Sequence, residues 1–193
     1  MIHFIHGIRT EPTSPVKGLV PYLVAAGLEV TYPDYGFELA IETRVVNAMI
    51  EGTLLHYIKP GDILIGHSNG CAIAYHLLLL GAPAAGAVFI NGALETSIIR
   101  PGAQCGFIDV YWNPGDTVTE IAKLGAQLGI YDSMWGELGH SGYQGKDPNI
   151  TSFNCGATTS MPVVSGHSDF FTPNNLKVWG PFLANRLKGR SPT

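Results

Sequence analysis

Short apolar runs alternate with longer helical patterns along this chain, and this alternation limits the possible folds more than any other feature of the sequence. The runs are mostly apolar and show no regular alternation of polar and apolar residues, so the strands they predict are buried on both faces. We expect an α/β fold: a three-layer α/β/α sandwich with a mostly parallel sheet of about six strands. The predicted strands are residues 2–6, 28–32, 62–65, 87–90, 107–112 and 158–164, and the predicted helices are 13–26, 39–57, 69–80, 118–128 and 174–187.

Length and composition fit one folded domain. The chain has 193 residues, the usual size of a single domain, and we expect that domain to span residues 1–188, with a flexible tail at 189–193. Charged residues make up 13% of the chain and hydrophobic residues 46%, which excludes a disordered chain. The net charge of −4 argues against a nucleic-acid partner, because a protein that binds the phosphate backbone is usually basic.

Two sequence features bear on cellular location. Residues 71–90 are nearly uncharged and long enough to suggest a membrane helix. Gly81, Pro83 and Gly86 interrupt them, so we predict a helix, a turn and a buried strand instead of a membrane span. The first residues, MIHFIHGIRT, lack the basic and apolar regions of a secretory signal. We therefore expect a cytoplasmic protein.

The cysteines and short motifs predict no disulfide framework and no cofactor. Cys71, Cys105 and Cys155 are an odd number with no close pair, and we expect them to be packing residues. The sequence contains no HExxH or CxxC motif for a metal, and no GxGxxG or P-loop motif for a nucleotide.

The segment GHSNG at residues 66–70 is the strongest functional signal. It matches G-x-S-x-G and lies between the apolar run DILI and the helical pattern CAIAYHLLL, which is the strand–turn–helix context of a nucleophile elbow. A sharp turn would expose the Ser68 hydroxyl, and the following helix N-terminus would direct N–H groups toward a developing negative charge. Ser68 is therefore the candidate nucleophile. Ser141, in GHSG, lacks both the last glycine and a preceding strand.

Four features together resemble the α/β-hydrolase superfamily over nearly the whole chain: FIHG near the start, GHSNG after a buried strand, an Asp after a later strand, and a GHS histidine near the end. The chain lacks two N-terminal strands of larger members and is similar to small, trimmed bacterial and phage-encoded hydrolases. A phage-encoded member would act in the host cell. The resemblance implies the chain order Ser, Asp or Glu, then His.

Asp116 is the candidate acid of this order. It follows the predicted strand at residues 107–112 on an Asn-Pro-Gly turn, although an Asp at this position is also a favoured N-cap of the next helix. Asp109 lies inside the strand pattern and is poorly placed to reach a loop histidine. Asp132 and Asp147 fall in a glycine-rich region that we expect to be irregular, and they remain weaker alternatives.

His167 is the candidate base, with His140 as its rival. It lies in GHS before the last predicted helix and would take the Ser68 proton and return it to the leaving group. We expect His67, inside the elbow, to point away from the nucleophile. By resemblance, the oxyanion hole would use the backbone N–H groups of Ile8 and Asn69, with a structural role for the nearby histidine at position 6.

Aromatic residues follow the second predicted strand and recur in the glycine-rich region at residues 130–156. They could form an acyl pocket, or they could simply pack these loops onto the body. The candidate pocket residues are the aromatic residues Tyr35, Phe37 and Trp135, together with Arg9. A serine triad with an oxyanion hole performs acyl transfer, so we predict a serine esterase that acts on small-molecule carboxylic esters. A thioesterase, an amidase or peptidase on the same triad, and a catalytically silent binding module are the alternatives.

Overall fold

The computed structural model describes residues 1–7, 15–33, 43–102, 105–127 and 134–190. Within these ranges six strands form one sheet in the order β2-β1-β3-β4-β5-β6, and every neighbouring pair is parallel. The strands are β1 (Ile2–Ile5), β2 (Val30–Thr31), β3 (Ile63–His67), β4 (Gly86–Ile90), β5 (Phe107–Trp112) and β6 (Ile150–Asn154). The predicted sheet is confirmed.

Helices cover both faces of the sheet. They are α1 (Val20–Ala25), α2 (Thr43–Leu54), α3 (Asn69–Leu79), α4 (Thr117–Gln127), α5 (Leu138–Ser141) and α6 (Pro173–Lys188), with 3-10 turns at Pro15–Leu19 and Asp169–Phe171. Apolar side chains of α2 to α5 form the core on one face. Those of α1 and α6 form the core on the other face. The predicted three-layer sandwich is thus confirmed.

Helix α3 packs directly against the middle of the sheet. Strand β3 is buried along its whole length and lies between β1 and β4. Gly70, in the first turn of α3, permits this close approach, because a Cβ atom there would overlap the backbone oxygen of Ile5 and lie 2.6 Å from that of His6. The residue before α3 is therefore held at the carboxyl ends of the central strands, where sites form in open α/β sheets.

The last strand differs from the sequence prediction. Residues 158–164 contain no strand, and the sixth strand is Ile150–Asn154, inside the region predicted to be irregular. An edge strand has one neighbour, and β6 is only partly buried, so its sequence ITSFN does not show the continuous apolar pattern of the central strands. Residues 158–164 instead contain a turn in which the Thr158 hydroxyl donates to the carbonyl of Met161.

Residues 71–90 form most of α3, a turn and β4, as predicted. No helix within the described ranges is long and apolar enough to cross a membrane. The three cysteines are buried and free, which confirms their role in packing. Helix α6 ends at Lys188, the last residue of the predicted domain, while residues 191–193 of the predicted tail lie outside the described residues.

Candidate active site

Ser68 occupies a strained turn between β3 and α3. Its backbone has φ 56° and ψ −125°, a conformation that side-chain-bearing residues rarely adopt and that is concentrated at functional sites. The turn is fixed from both sides, because the Ser68 N–H donates to the carbonyl of Ile90 and the Ser68 carbonyl accepts from the N–H groups of Cys71 and Ala93, at 3.1 to 3.2 Å. The sequence GHSNG therefore forms the sharp strand-to-helix turn expected of it.

The chain after β1 passes directly over Ser68. A Cβ atom on Gly7 would lie 2.7 Å from the Ser68 Cβ and 3.2 Å from its Oγ, so only glycine fits at this position. His6 is buried, its Nδ1 donates to the Gly7 carbonyl at 2.9 Å, and its ring stacks on Tyr32. His6 thus supports the loop, as expected. Ile8, the predicted oxyanion donor that follows Gly7, lies outside the described residues.

Asp116 and His167 form a close pair, although 51 residues separate them. Nδ1 of His167 lies 2.9 Å from each carboxylate oxygen of Asp116, and the Asp116 side chain is fully buried while that of His167 is 16% exposed. A carboxylate accepts, so Nδ1 carries the donated hydrogen and Nε2 of the neutral ring keeps its lone pair. The Thr119 N–H also donates to the Asp116 carboxylate at 3.2 Å, so this residue both caps α4 and holds His167.

The alternative acids have other partners. Asp109 is fully buried within β5 and accepts from Nη2 of Arg186 at 2.9 Å. Asp147 lies 3.4 Å from Nε of Arg100, and the backbone N–H of Asn149 holds the pKa of its carboxyl below the usual value. Asp132 lies outside the described residues. Among the candidate acids that the structure describes, Asp116 is the one that contacts His167.

The rivals His140 and Ser141 lie on α5, in the region expected to be irregular. This short helix lies beside the Asp116–His167 pair, since a Cβ atom on Gly139 would be 2.7 Å from Oδ2 of Asp116. His140 keeps its Nδ1 buried with no hydrogen-bond partner among the described residues. Among the described residues, the histidine that bonds the Asp116 carboxylate is therefore His167, not His140, because both carboxylate oxygens lie within hydrogen-bond distance of the His167 ring.

His67, which the sequence predicted to point away from the nucleophile, contacts His167. Its ring centroid lies 4.9 Å from that of His167, and its Nε2 donates to the His167 backbone carbonyl at 3.2 Å. Burial, with smaller contributions from the neighbouring rings of His167 and His6, lowers the pKa of His67 to about 3. A polar residue at the carboxyl end of a buried central strand was the sequence signal for this contact.

Asn69, whose N–H was predicted to stabilise the oxyanion, has a fully buried side chain. Its Oδ1 accepts from Nε1 of Trp135 at 2.8 Å and from Nδ2 of Asn47 at 3.2 Å, and its Nδ2 donates to Oδ1 of Asn47 at 2.8 Å. Trp135, predicted to line a pocket, is 4% exposed and packs in the core. The other predicted pocket residues, Arg9, Tyr35 and Phe37, lie outside the described residues.

Among the described residues, this region has the features of neither a metal site nor a reactive thiol. Within the ranges that the structure describes, no three His, Cys, Asp or Glu side chains converge in a way that could hold a metal ion. Cys71, three residues after Ser68, is fully buried, and this burial raises the pKa of its thiol. A buried thiol of this kind is not a reactive nucleophile.

No family profile and no curated protein matches this sequence. Solved structures match over nearly the whole chain. An esterase from Pyrococcus furiosus is 10% identical with a TM-score of 0.61, and the match covers 99% of this chain and 82% of that protein. A monoacylglycerol lipase from Paleococcus ferrophilus is 13% identical with a TM-score of 0.59, covering 98% and 94%.

A third structure, assigned to the alpha/beta hydrolase superfamily and taken from Xanthomonas campestris pv. campestris, is 14% identical. Its TM-score is 0.59, and the match covers 97% of this chain and 98% of that protein. Likeness at this level of identity shows the fold. The chain therefore has the α/β-hydrolase fold that its sequence motifs predicted.

Proposed function

We propose that this protein is a serine hydrolase that cleaves carboxylic esters through an acyl-enzyme intermediate on Ser68. The observation that carries the proposal is the Asp116–His167 pair, with Nδ1 of the imidazole 2.9 Å from both oxygens of a fully buried carboxylate. This pair lies at the same edge of the sheet as the elbow, because His67, the residue before Ser68, contacts the His167 ring.

The first half of the proposed reaction forms the acyl-enzyme. Ser68 Oγ attacks the ester carbonyl carbon while its proton passes to Nε2 of His167, and Asp116 stabilises the imidazolium that results. The carbonyl oxygen becomes negatively charged and accepts a hydrogen bond from the Asn69 N–H, the first of α3, where the helix dipole favours a negative charge. The C–O bond to the alcohol then breaks, and His167 gives its proton to the departing oxygen.

The second half releases the acid. A water molecule attacks the acyl carbonyl carbon, and its proton passes to His167. When the tetrahedral intermediate collapses, the carbon–Oγ bond breaks and His167 returns the proton to Ser68. The acid product leaves, and the residues of the site regain their starting protonation states. These steps use side chains and backbone groups of this chain and one water, so the proposed reaction requires no metal or cofactor.

The choice of an ester substrate draws on two considerations. The structural relatives include proteins named as an esterase and a monoacylglycerol lipase, and the alkoxide released from an ester is a better leaving group than the nitrogen anion that an amide would release. A second residue at the predicted oxyanion hole, Ile8, would add a second N–H donor to that of Asn69. A missing donor in such a site costs about 10²- to 10³-fold in rate, so both donors belong to the proposal.

Active-site labelling with a fluorophosphonate, followed by hydrolysis of p-nitrophenyl esters of increasing acyl length, tests the proposal. The wild-type protein should label at Ser68, and Ser68→Ala should abolish labelling and lower ester turnover by about 10⁴-fold or more. Ser141→Ala is the matched control and should behave as the wild type. Labelling that persists in Ser68→Ala would overturn the proposal.

The substrate panel separates the competing functions. Faster cleavage of matched thioesters or anilides would replace the esterase with a thioesterase or an amidase on the same triad. A folded wild-type protein that neither labels nor hydrolyses any of these substrates would be the silent binding module. Ester turnover should persist in EDTA, and activity that is lost on chelation and restored by a metal would contradict a serine mechanism.

A further inference from the structure

The backbone carbonyl of His167 is held by two side chains of the sheet. Nδ2 of Asn91 donates to this oxygen at 2.6 Å, and Nε2 of His67 donates to it at 3.2 Å. A carbonyl oxygen has two lone pairs, so these two donors together satisfy it. His167 is therefore fixed at two points: Asp116 holds its imidazole ring, and Asn91 and His67 hold its backbone carbonyl.

Both donors are attached to neighbouring central strands. His67 is the last residue of β3, its register partner in β4 is Ile90, and Asn91 follows immediately. Asn91 is buried, and its backbone has φ 47°. This left-handed conformation is uncommon outside glycine, although asparagine tolerates it better than most residues. An unfavourable conformation at this position indicates that the side-chain direction it produces is needed.

A second asparagine fixes the orientation of the Asn91 amide. Nδ2 of Asn113 donates to Oδ1 of Asn91 at 3.2 Å and to the carbonyl of Gly166 at 3.3 Å. Oδ1 of Asn113 in turn accepts from the N–H of Gly115 at 3.1 Å. Because Oδ1 of Asn91 serves as an acceptor, its NH₂ group must face the carbonyls of Gly166 and His167. These hydrogen bonds of the Asn91 and Asn113 side chains therefore require this one orientation of the two amides.

His67 remains a donor throughout the proposed reaction. A carbonyl can only accept, so the hydrogen of the neutral His67 ring is on Nε2, and its Nδ1 is buried without a hydrogen-bond partner among the described residues. The ring packs edge-on against Phe171 and lies 4.9 Å from the ring of His167. A neutral ring at this distance neither repels the imidazolium that forms on His167 nor competes for the proton of Ser68.

We propose that Asn91 and His67 are positioning residues that hold the backbone carbonyl of His167 and so aim its Nε2 at Ser68. This inference rests on the proposed function, because it assigns these side chains a role in serine hydrolysis. Neither residue touches the reacting atoms. They act through His167, and a shift of about 1 Å in such a group can cost on the order of 10²-fold in rate.

Paired substitutions at position 67 distinguish positioning from packing. His67→Leu removes the donor and should lower kcat about 10- to 100-fold, with KM changed by less than about threefold. His67→Gln can place an amide N–H near the position of Nε2 and should recover most of the wild-type kcat. His76→Leu is the matched control, because His76 is a partly exposed histidine that bonds Glu51 instead, and its kcat should equal that of the wild type.

Position 91 provides an independent test. Asn91→Gly keeps the left-handed backbone at no steric cost but removes the donor, so we expect a similar loss of kcat with an unchanged KM. Asn149→Gly, at an exposed position on the turn before β6, is its control. If His67→Leu fails to fold, Asn91→Gly decides the question, since it introduces no new bulk.

Proton NMR gives a readout that does not depend on hydrolysis. The Nδ1–H of His167 should give a downfield resonance, assigned by its loss in His167→Gln. We expect this signal to broaden or disappear in His67→Leu and Asn91→Gly and to persist in His67→Gln and both controls. An unchanged signal and unchanged kcat in both donor-deleted variants would overturn the positioning role. A wild type that shows the signal but neither labels nor hydrolyses would overturn the proposed function instead.

Discussion

Both carboxylate oxygens of Asp116 lie 2.9 Å from Nδ1 of His167, and the same carboxylate accepts the N–H of Thr119 at the start of α4. Helix capping and catalysis usually compete as explanations for an aspartate in this position. Here the geometry supports both, because an N-cap needs one oxygen and the carboxylate has two. A substitution can therefore separate the two contributions.

Asp116→Asn should lower kcat/KM by about 10⁴-fold, because an amide cannot stabilise the imidazolium and can favour the wrong tautomer of His167. The melting temperature should change little, since Asn caps a helix as well as Asp does. Steady-state kinetics and thermal unfolding of the same preparation measure both quantities. Asp147→Asn and Asp132→Asn are the controls, and a large loss in either of them with normal activity in Asp116→Asn would place the acid elsewhere.

Gly7→Ala should lower ester turnover by at least about 10²-fold. The added Cβ would lie 2.7 Å from the Ser68 Cβ and 3.0 Å from the carbonyl oxygen of His67, so the loop or the nucleophile must move. Gly52→Ala in α2 is the control, since among the described residues its added Cβ would meet no atom within 4 Å beyond its chain neighbours and its own helix backbone. It should leave turnover unchanged and stabilise the fold by about 0.5–1 kcal/mol. Normal turnover in Gly7→Ala would contradict the close approach.

Trp135→Phe should reduce both stability and activity. The change removes the Nε1 hydrogen bond to the buried Oδ1 of Asn69, at a cost of about 1–2 kcal/mol, and it loosens the residue whose N–H is proposed to bind the oxyanion. Trp179→Phe is the matched control, because its Nε1 donates to the carbonyl of Pro162 in another part of the core. Both variants should unfold at lower urea concentrations, but kcat should fall in Trp135→Phe alone.

The buried His67 should make the folded state less stable at acidic pH. Burial lowers its folded pKa to about 3, with smaller contributions from His167 and His6. As the pH falls below about 6.5, His67 binds a proton in the unfolded chain but stays neutral in the folded chain. The free energy of unfolding that this group contributes is therefore complete above about pH 6.5 and is lost toward pH 3. The wild type should lose about 2 kcal/mol from this group between pH 7.5 and pH 5.

Urea unfolding of the wild type and His67→Gln at several pH values measures this contribution. Gln does not titrate, so the variant should show a smaller loss of stability over the same pH range, while every other titratable group is common to both proteins. Parallel pH profiles of the two proteins would show that His67 accepts a proton in the folded state as easily as in the unfolded chain.

The central part of the fold was predictable from sequence for a physical reason. Strands β3, β4 and β5 are buried on both faces, so each is a mostly apolar run between turn residues, and GHSNG can be placed at the end of the first of them. The edge strand β6 gave no such run, because ITSFN is partly exposed. Its position was therefore missed, and residues 158–164 were mistaken for a strand.

The local sequence also predicted the elbow, since a strand, a serine between two nearby glycines and a helix require only neighbouring residues. The order of the candidate triad was a prediction from the resemblance to the α/β hydrolases. The contacts that give the site its geometry join residues distant in the chain: Asp116 with His167, Asn91 with the His167 carbonyl, and Trp135 with Asn69. Only the packing of parallel strands brings these groups to one edge of the sheet. For that reason His67 and Trp135 were assigned by local pattern, whereas their partners, and hence their roles, were decided by the tertiary structure.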